Sequence, residues 1–139
     1  MDWVCPDEGK IKILDELFRL TSSRESFVLD QWLTGGPVDD DSTFSDFTLA
    51  TYTGYVQVAI SRGDFSAATA PSNIGQILKS VNPVFTCTGG SPQTVAGLLL
   101  RGATSGIIYL GCNYSPTISM ASGATDTINP MKAKDKTFV

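Results

Sequence analysis

Residues 95–112, VAGLLLRGATSGIIYLGC, decide the fold. This is the most apolar stretch of the chain, and two strand-like runs in it are joined by an obvious turn. Val95–Arg101 and Ile107–Cys112 are rich in aliphatic and β-branched residues, and Gly102-Ala-Thr-Ser-Gly106 between them has the composition of a hairpin loop. Neither run alternates cleanly, because Leu98, Leu99 and Leu100 are consecutive, as are Ile107 and Ile108. A strand with apolar residues on both sides needs both faces covered, so this hairpin belongs in the middle of a sandwich or of an assembly. The inner face is expected to be core and the outer face to meet another copy.

On the N-terminal side, Ile11, Leu14, Leu17 and Phe18 recur at helical spacing, with Asp7 placed to cap the first turn and Glu8 suited to its positive end. The spacing predicts one amphipathic helix over residues 7–20, preceded by an outward-reaching arm, 1–6, that exposes Trp3 and Cys5. From Phe27 the period becomes two. A strand over Phe27–Leu33 ends at Gly35-Gly36-Pro37, and an alternating strand over Tyr55–Arg62 follows, with Val56, Val58 and Ile60 on one face. Residues 63–75 have the composition of a long loop. Ile77–Thr88 is expected as a strand interrupted near Asn82-Pro83. Tyr114–Met120 should be a separate strand held at an edge or bulge by Pro116, and Thr125–Asn129 and Lys132–Val139 complete the series. One helix and about eight short strands predict an all-β fold, an antiparallel jelly-roll-like β-sandwich over 26–139, within a single domain of 1–139.

Composition narrows the function. Charged residues make up 17 % of the chain and His is absent. Without His there is no Ser-His-Asp triad and no usual zinc or non-haem iron site, so no catalytic residue, cofactor or metal is expected. Asp39-Asp40-Asp41-Ser42 offers oxygens of the kind Ca²⁺ takes, but adjacent aspartates point apart and read as a hydrated loop. Gly89-Gly90-Ser91 and Gly35-Gly36 lack the spacing of phosphate loops and read as turns. Cys5, Cys87 and Cys112 are an odd set without CxxC spacing, as expected of free thiols in a reducing compartment. The opening MDWVCPDEGK has neither the basic nor the apolar region of a signal peptide, and no apolar run reaches the roughly 18 residues of a membrane span.

Charge is unevenly placed. Residues 1–64 hold 12 acids and 5 bases, whereas Lys79, Arg101 and Asp126 are the only charges between Phe65 and Met131. The acidic balance argues against nucleic acid, whose phosphates need clustered Lys and Arg. The charge-poor half is expected either to face a neighbouring subunit, since interface cores are depleted in charge, or to be dressed in Ser and Thr.

The opening VCPDEGKIKILDELF resembles the Val-Pro-(Asp/Asn)-Glu-Gly…Leu-Leu-Asp start of a family of small tailed-bacteriophage virion proteins. Val4, Pro6, Asp7, Glu8, Gly9, Leu14 and Asp15 match, and Cys5 is an insertion. Phe47-Thr-Leu-Ala-Thr-Tyr-Thr-Gly-Tyr55 is similar to that family's aromatic…Thr-Gly-Tyr entry into a long strand. Ala96-Gly-Leu-Leu-Leu-Arg101 with Gly106-Ile-Ile-Tyr-Leu110 looks like its central hairpin, with Leu98 where an aromatic is usual. Asp126-Thr127-Ile128 looks like its Gly-Asp-x-Leu penultimate strand. The resemblance implies a capsid decoration (cement) protein with a jelly-roll fold, made in the host cytoplasm and carried on the capsid surface. It implies a homo-oligomer, a trimer, bound to the major capsid protein, with no membrane or nucleic-acid partner. Trp3, Val4, Cys5, Leu98, Leu99, Leu100 and Tyr109 are the expected capsid or subunit contacts. The alternatives are a tail-fibre or receptor module that holds glycans on Trp3, Trp32, Tyr52, Tyr55, Tyr109 or Tyr114, and a metal-dependent hydrolase or isomerase on the same scaffold.

Overall fold

The computed structural model describes residues 3–18, 24–61, 64, 76–78, 82–128 and 132–134. The chain is all-β and antiparallel with one helix near its N-terminus, a sandwich-like fold. The elements are β1 (Trp3–Val4), α1 (Asp7–Phe18), β2 (Phe27–Thr34), β3 (Thr48–Leu49), β4 (Val58–Ile60), β5 (Gln76–Leu78), β6 (Val84–Thr86), β7 (Gln93–Gly102), β8 (Ile108–Met120), β9 (Thr125–Thr127) and β10 (Lys132–Lys134). One sheet runs β1-β8-β7-β2-β3, with β4 also on β2, and two ribbons pair β6 with β9 and β5 with β10.

The β7–β8 hairpin lies in the middle of the large sheet, as its apolar composition requires. Leu98 pairs with Cys112 and with Gln31 of β2, and Leu99 pairs with Gly111 and Asp30. Directly opposed residues share a face, so one face carries Leu98, Leu100, Leu29 and Cys112 and the other carries Leu99 and Trp32. The first face packs against Ala50, Tyr52, Phe85, Cys87 and Ile128, from the segment after β3 and from the β6–β9 region. The second is covered by Val38 and Phe47, with Phe44 at its margin, from the segment between β2 and β3. Leu98 and Leu99 are both 0 % exposed and Leu100 is 2 % exposed. Both faces are therefore closed by the chain itself, and neither is left for a second copy.

Glycines make the second face possible. The Trp32 indole lies across Gly97 on the neighbouring strand, where an added Cβ would stand 2.6 Å from Nε1 and would collide with the Cys112 carbonyl oxygen. Its far edge lies against Gly36, and Val38 sits over Gly111, where a Cβ would be 2.7 Å from Cγ1. Three positions without a side chain let a 3-10 turn and its flanking loop lie flat on the sheet, with Trp32 and Phe47 meeting edge to face at 5.2 Å.

Several expectations are corrected. Residues 3–6 do not form an outward arm: Trp3 and Val4 pair with Cys112 and Gly111 at the edge of β8, and Cys5 is 1 % exposed. The edge of β8 carries free N–H and C=O groups that a short strand satisfies. The expected strand over Tyr55–Arg62 shrinks to Val58–Ile60, because Tyr55 N–H donates to the Tyr52 carbonyl (2.9 Å) and turns the chain; Val56 is exposed and Ile60 buried. The two strands expected over Ile107–Cys112 and Tyr114–Met120 are one continuous strand, β8, through Pro116. Ile77–Thr88 contributes to two different ribbons, through β5 and β6. The helix is described from Asp7 to Phe18, while residues 1–2, 19–20, 62–63, 65–75, 79–81, 129 and 135–139 of the expected elements lie outside the described residues.

Gly97→Ala should cost about 3 kcal/mol, at the upper end of overpacking penalties, read as a lower urea midpoint at unchanged slope. Leu99→Lys should abolish cooperative folding rather than change the oligomeric state, because it places an unpaired ammonium in a closed core. A folded Leu99→Lys protein with altered mass would show that this face is an interface.

Candidate functional site

Two adjacent polar residues in the middle of β2, Asp30 and Gln31, are both 0 % exposed. They sit where the outer edge of β2 is uncovered by strand, between its pairings with β4 (Phe27–Leu29) and with β3 (Trp32 and Thr34). Side chains and a loop fill the gap. Ala50 N–H donates to the Gln31 carbonyl (2.9 Å), and Gln31 N–H donates to the Tyr55 hydroxyl oxygen (3.2 Å).

From there a polar network runs in two directions. Tyr55 O–H donates to Asp30 Oδ1 (3.1 Å), and Arg101 Nε donates to Asp30 Oδ2 (2.6 Å). Arg101 also donates from Nη2 to Gln57 Oε1 (3.0 Å), with its guanidinium 4.7 Å from the centre of the Phe44 ring. On the other side, Gln31 Nε2 donates to Asp126 Oδ2 (2.7 Å) and Tyr114 O–H donates to the same oxygen (2.7 Å). Tyr52 O–H donates to Gln31 Oε1 (2.6 Å). The Tyr52 and Tyr55 rings meet edge to face at 5.4 Å, and Tyr55 stacks on Phe85 at 6.0 Å.

Carboxylates beside tyrosines are groups that can move protons, but here each is committed to another protein group. Burial, followed by the nearby Asp126 charge, pushes the Tyr52 hydroxyl up to about 12. Burial and Asp30 push Tyr55 upward, and burial with the hydrogen bond to Asp126 does the same to Tyr114. Burial also raises the thiols, Cys5 to about 11 and Cys112 to about 12, whereas a nucleophilic cysteine needs a lowered value and access. Cys5, Cys87 and Cys112 are free and buried. Among the described residues no group of three or more His, Cys, Asp or Glu is placed to hold a metal ion. In the acidic loop, Asp39 Oδ1 accepts from Asp41 N–H and from Ser42 O–H, and Asp40 Oδ1 is 3.0 Å from Lys10 Nζ. The network is a lock between layers: it ties β2, β7, β8 and β9 to the loop carrying Tyr52 and Tyr55.

The residues expected to touch a capsid or a second subunit lie within the fold. Cys5, Leu98, Leu99, Leu100 and Tyr109 are buried, and Trp3 and Val4 are half-buried in β1. Glu8 lies in the first turn of α1, as its reading as a helix-dipole partner requires, and also accepts from Ile108 N–H (3.0 Å), sealing the edge of β8 beside β1.

The outside is organised differently. Between Asn82 and Ile128 the chain has two charged residues, Arg101 and Asp126, and both are engaged in the network. The outward face of the β6–β9 ribbon is a two-by-two array: Val84 opposes Thr127 and Thr86 opposes Thr125, all four exposed, while Phe85 and Asp126 turn inward. Ser91, Pro92, Thr94, Thr117, Ser119 and Ser122 continue an exposed exterior without charge. The acidic loop, Lys10 and Asp7 lie together by the start of α1, which packs on the first residues of β8, and the loop is anchored through Val38 N–H, which donates to Asn113 Oδ1 (2.8 Å). Among the described residues no helix is long and apolar enough to cross a membrane.

Arg101→Met should cost about 3–5 kcal/mol, because it strands the Asp30 carboxylate, and the double variant Asp30→Asn/Arg101→Met should recover most of that loss. Urea unfolding of the four proteins in the cycle measures both. Alkaline lability should follow from the tyrosines. A hydroxyl held above its unfolded value near 10 contributes stability that is intact below that pH and lost as pH rises through the folded value, about 12 for Tyr52. Tyrosinate absorbance from Tyr52, Tyr55 and Tyr114 should therefore appear only together with loss of the near-ultraviolet circular dichroism.

Compared with protein-family models, curated proteins and solved structures, the chain matches none of them.

Proposed function

We propose that this chain is a non-enzymatic structural protein of a virion, a capsid decoration protein that oligomerises, as a trimer, on the major capsid protein. The observation that carries the proposal is the charge-poor exterior between Asn82 and Ile128, whose two charged residues, Arg101 and Asp126, are hydrogen-bonded to the buried Asp30 and Gln31. An ordinary solvated surface carries about a quarter of its residues as charges, while surfaces that associate are depleted of them. The sequence resemblance to small phage virion proteins points the same way, as does the use of carboxylates, tyrosines and thiols in internal bonding.

With the hairpin closed on both faces, contact passes to the exposed array of Val84, Thr86, Thr125 and Thr127 and the Ser/Thr surface around it. Such a patch is small beside the roughly 800 Å² per partner of a standard interface. Repetition over a shell supplies the missing strength, since many weak contacts made together give high avidity. A rigid subunit suits this role because ordering is not charged again at every contact. A glycan platform has less support: Trp32, Tyr52 and Tyr109 are buried, and Tyr55 and Tyr114 direct their hydroxyls to Asp30 and Asp126.

Light scattering on the purified protein should give a multiple of the 14.8 kDa chain mass. Val84→Asp should lower that mass while changing stability by no more than about 0.5 kcal/mol, as expected of an exposed position. Ile11→Asp, on the exposed helix face, should leave the mass unchanged. A strict monomer that does not co-sediment with empty capsids would remove the proposal.

A further inference from the structure

We propose that Glu25 is an acid-released clasp that holds the tip of the β7–β8 hairpin against the body of the protein, so that protonation frees the tip while the sheet stays folded. Glu25 lies just before β2, and its side chain is 9 % exposed. Oε2 accepts from the N–H groups of Thr104 (3.0 Å) and Ser105 (2.9 Å), while Oε1 accepts from the Ser105 hydroxyl (2.7 Å) and the Tyr109 hydroxyl (3.0 Å). Lys12 Nζ of α1 stands 3.9 Å from Oε1. One carboxylate thus gathers four donors from the hairpin and one cation from the helix, across about 80 residues of sequence.

The tip has little else to hold it. Ala103, Thr104 and Ser105 are exposed, and a side chain added at Gly106 would touch nothing within 4 Å. Its other bonds are local or backbone ones: Ala103 N–H to the Ser26 carbonyl (2.9 Å), Gly106 N–H to Gly102 (3.0 Å), Gly102 N–H to Ile107 (2.9 Å) and Ile107 N–H to Ser105 Oγ (3.2 Å). Segments with few apolar contacts open at low free energy and independently of the core. Below the tip, by contrast, Leu98 to Leu100 and Ile108 are closed in the core, and Glu8 separately holds Ile108. The break between a loosely packed tip and a sealed sheet is what lets one carboxylate control the first without the second.

Burial alone would raise the Glu25 carboxyl. The Ser105 N–H and O–H, the Thr104 N–H and the Tyr109 hydroxyl outweigh it and hold the group below the ordinary glutamate value. The charged and titratable groups that face it among the described residues are Lys12 from α1 and Tyr109 from β8. With a folded value below the unfolded one, the clasp is fully engaged above the ordinary glutamate range, near 4.3, and is lost as pH falls through the folded value.

Hydrogen exchange read by mass spectrometry on the intact chain tests this, with rates corrected for the intrinsic pH dependence of exchange. At neutral pH, Glu25→Gln should raise exchange at Thr104 and Ser105 about tenfold and leave Leu98 to Leu100 protected. In the wild type the same two amides should lose protection on acidification before the central strands do. Tyr109→Phe, which removes one donor, should move that opening to higher pH, an effect a merely structural contact would not produce. The clasp is refuted if tip protection survives Glu25→Gln, or if the wild-type tip and the Leu98 to Leu100 amides open together in acid. Should Glu25→Gln fail to fold, the wild-type acid series decides alone.

Discussion

Asp30 and Gln31 stand side by side on β2, face opposite sides of the sheet and are fully buried. Removing a carboxylate and an amide from water is unfavourable by several kcal/mol each unless their hydrogen bonds are replaced. That cost restricts the fold. Arg101 reaches Asp30 because Val28 opposes Arg101 and Asp30 opposes Leu99, which places the two side chains diagonally on one face. Slipping β2 by one residue would turn Asp30 toward the Tyr52 side and Gln31 toward the Val38 and Phe47 side, leaving both without their partners. On the other face, Asp126 reaches Gln31 only if β9 lies with its inward residue over the centre of the sheet, which fixes the ribbon that carries Phe85. Apolar burial favours closing the sandwich; the Asp30–Gln31 pair specifies which closure.

The same strand explains why the sheet needs no second molecule. A large indole beside β7 would normally hold a covering loop away from the sheet. Gly97 and Gly36 remove that obstacle, and Gly111 admits Val38, so the segment from Gly35 to Phe47 descends onto the backbone. The arrangement leaves one imperfection. Trp32 Nε1 is the one buried side-chain polar atom without a partner among the described residues. Its Nε1 lies against Gly97, which has no side chain to offer an acceptor.

The hairpin, the helix and the antiparallel all-β class were legible because each rests on local chemistry: apolar runs, a helical period and glycine turns. The covering of the hairpin's second face was not, since consecutive leucines demand only that something lie on both sides. What supplied the cover was Gly36, Gly97 and Gly111, three residues whose role depends on partners distant in the chain. The network was hidden for a similar reason. In the sequence, Asp30 is a single acid sharing a strand face with Val28 and Trp32, and Arg101 and Asp126 are isolated charges. Their scarcity was the available signal, because charges so rare in a long uncharged stretch are seldom left idle. The outward reading of Trp3 and Cys5 failed because a two-residue strand has no period to detect.

Charge partition links the interior to the exterior. A chain with net charge −4 repels its own copies wherever its acidic residues lie. Here those residues concentrate before residue 65, and the acidic loop sits beside the start of α1 at one end of β8. The other end of that strand passes into the turn before β9, where Thr125 and Thr127 oppose Thr86 and Val84. Because Arg101 and Asp126 are engaged with Asp30 and Gln31, the exterior around them is left poor in charge. Two buried polar residues on one strand therefore account both for a fixed arrangement of layers and for where the two charges of this stretch are held.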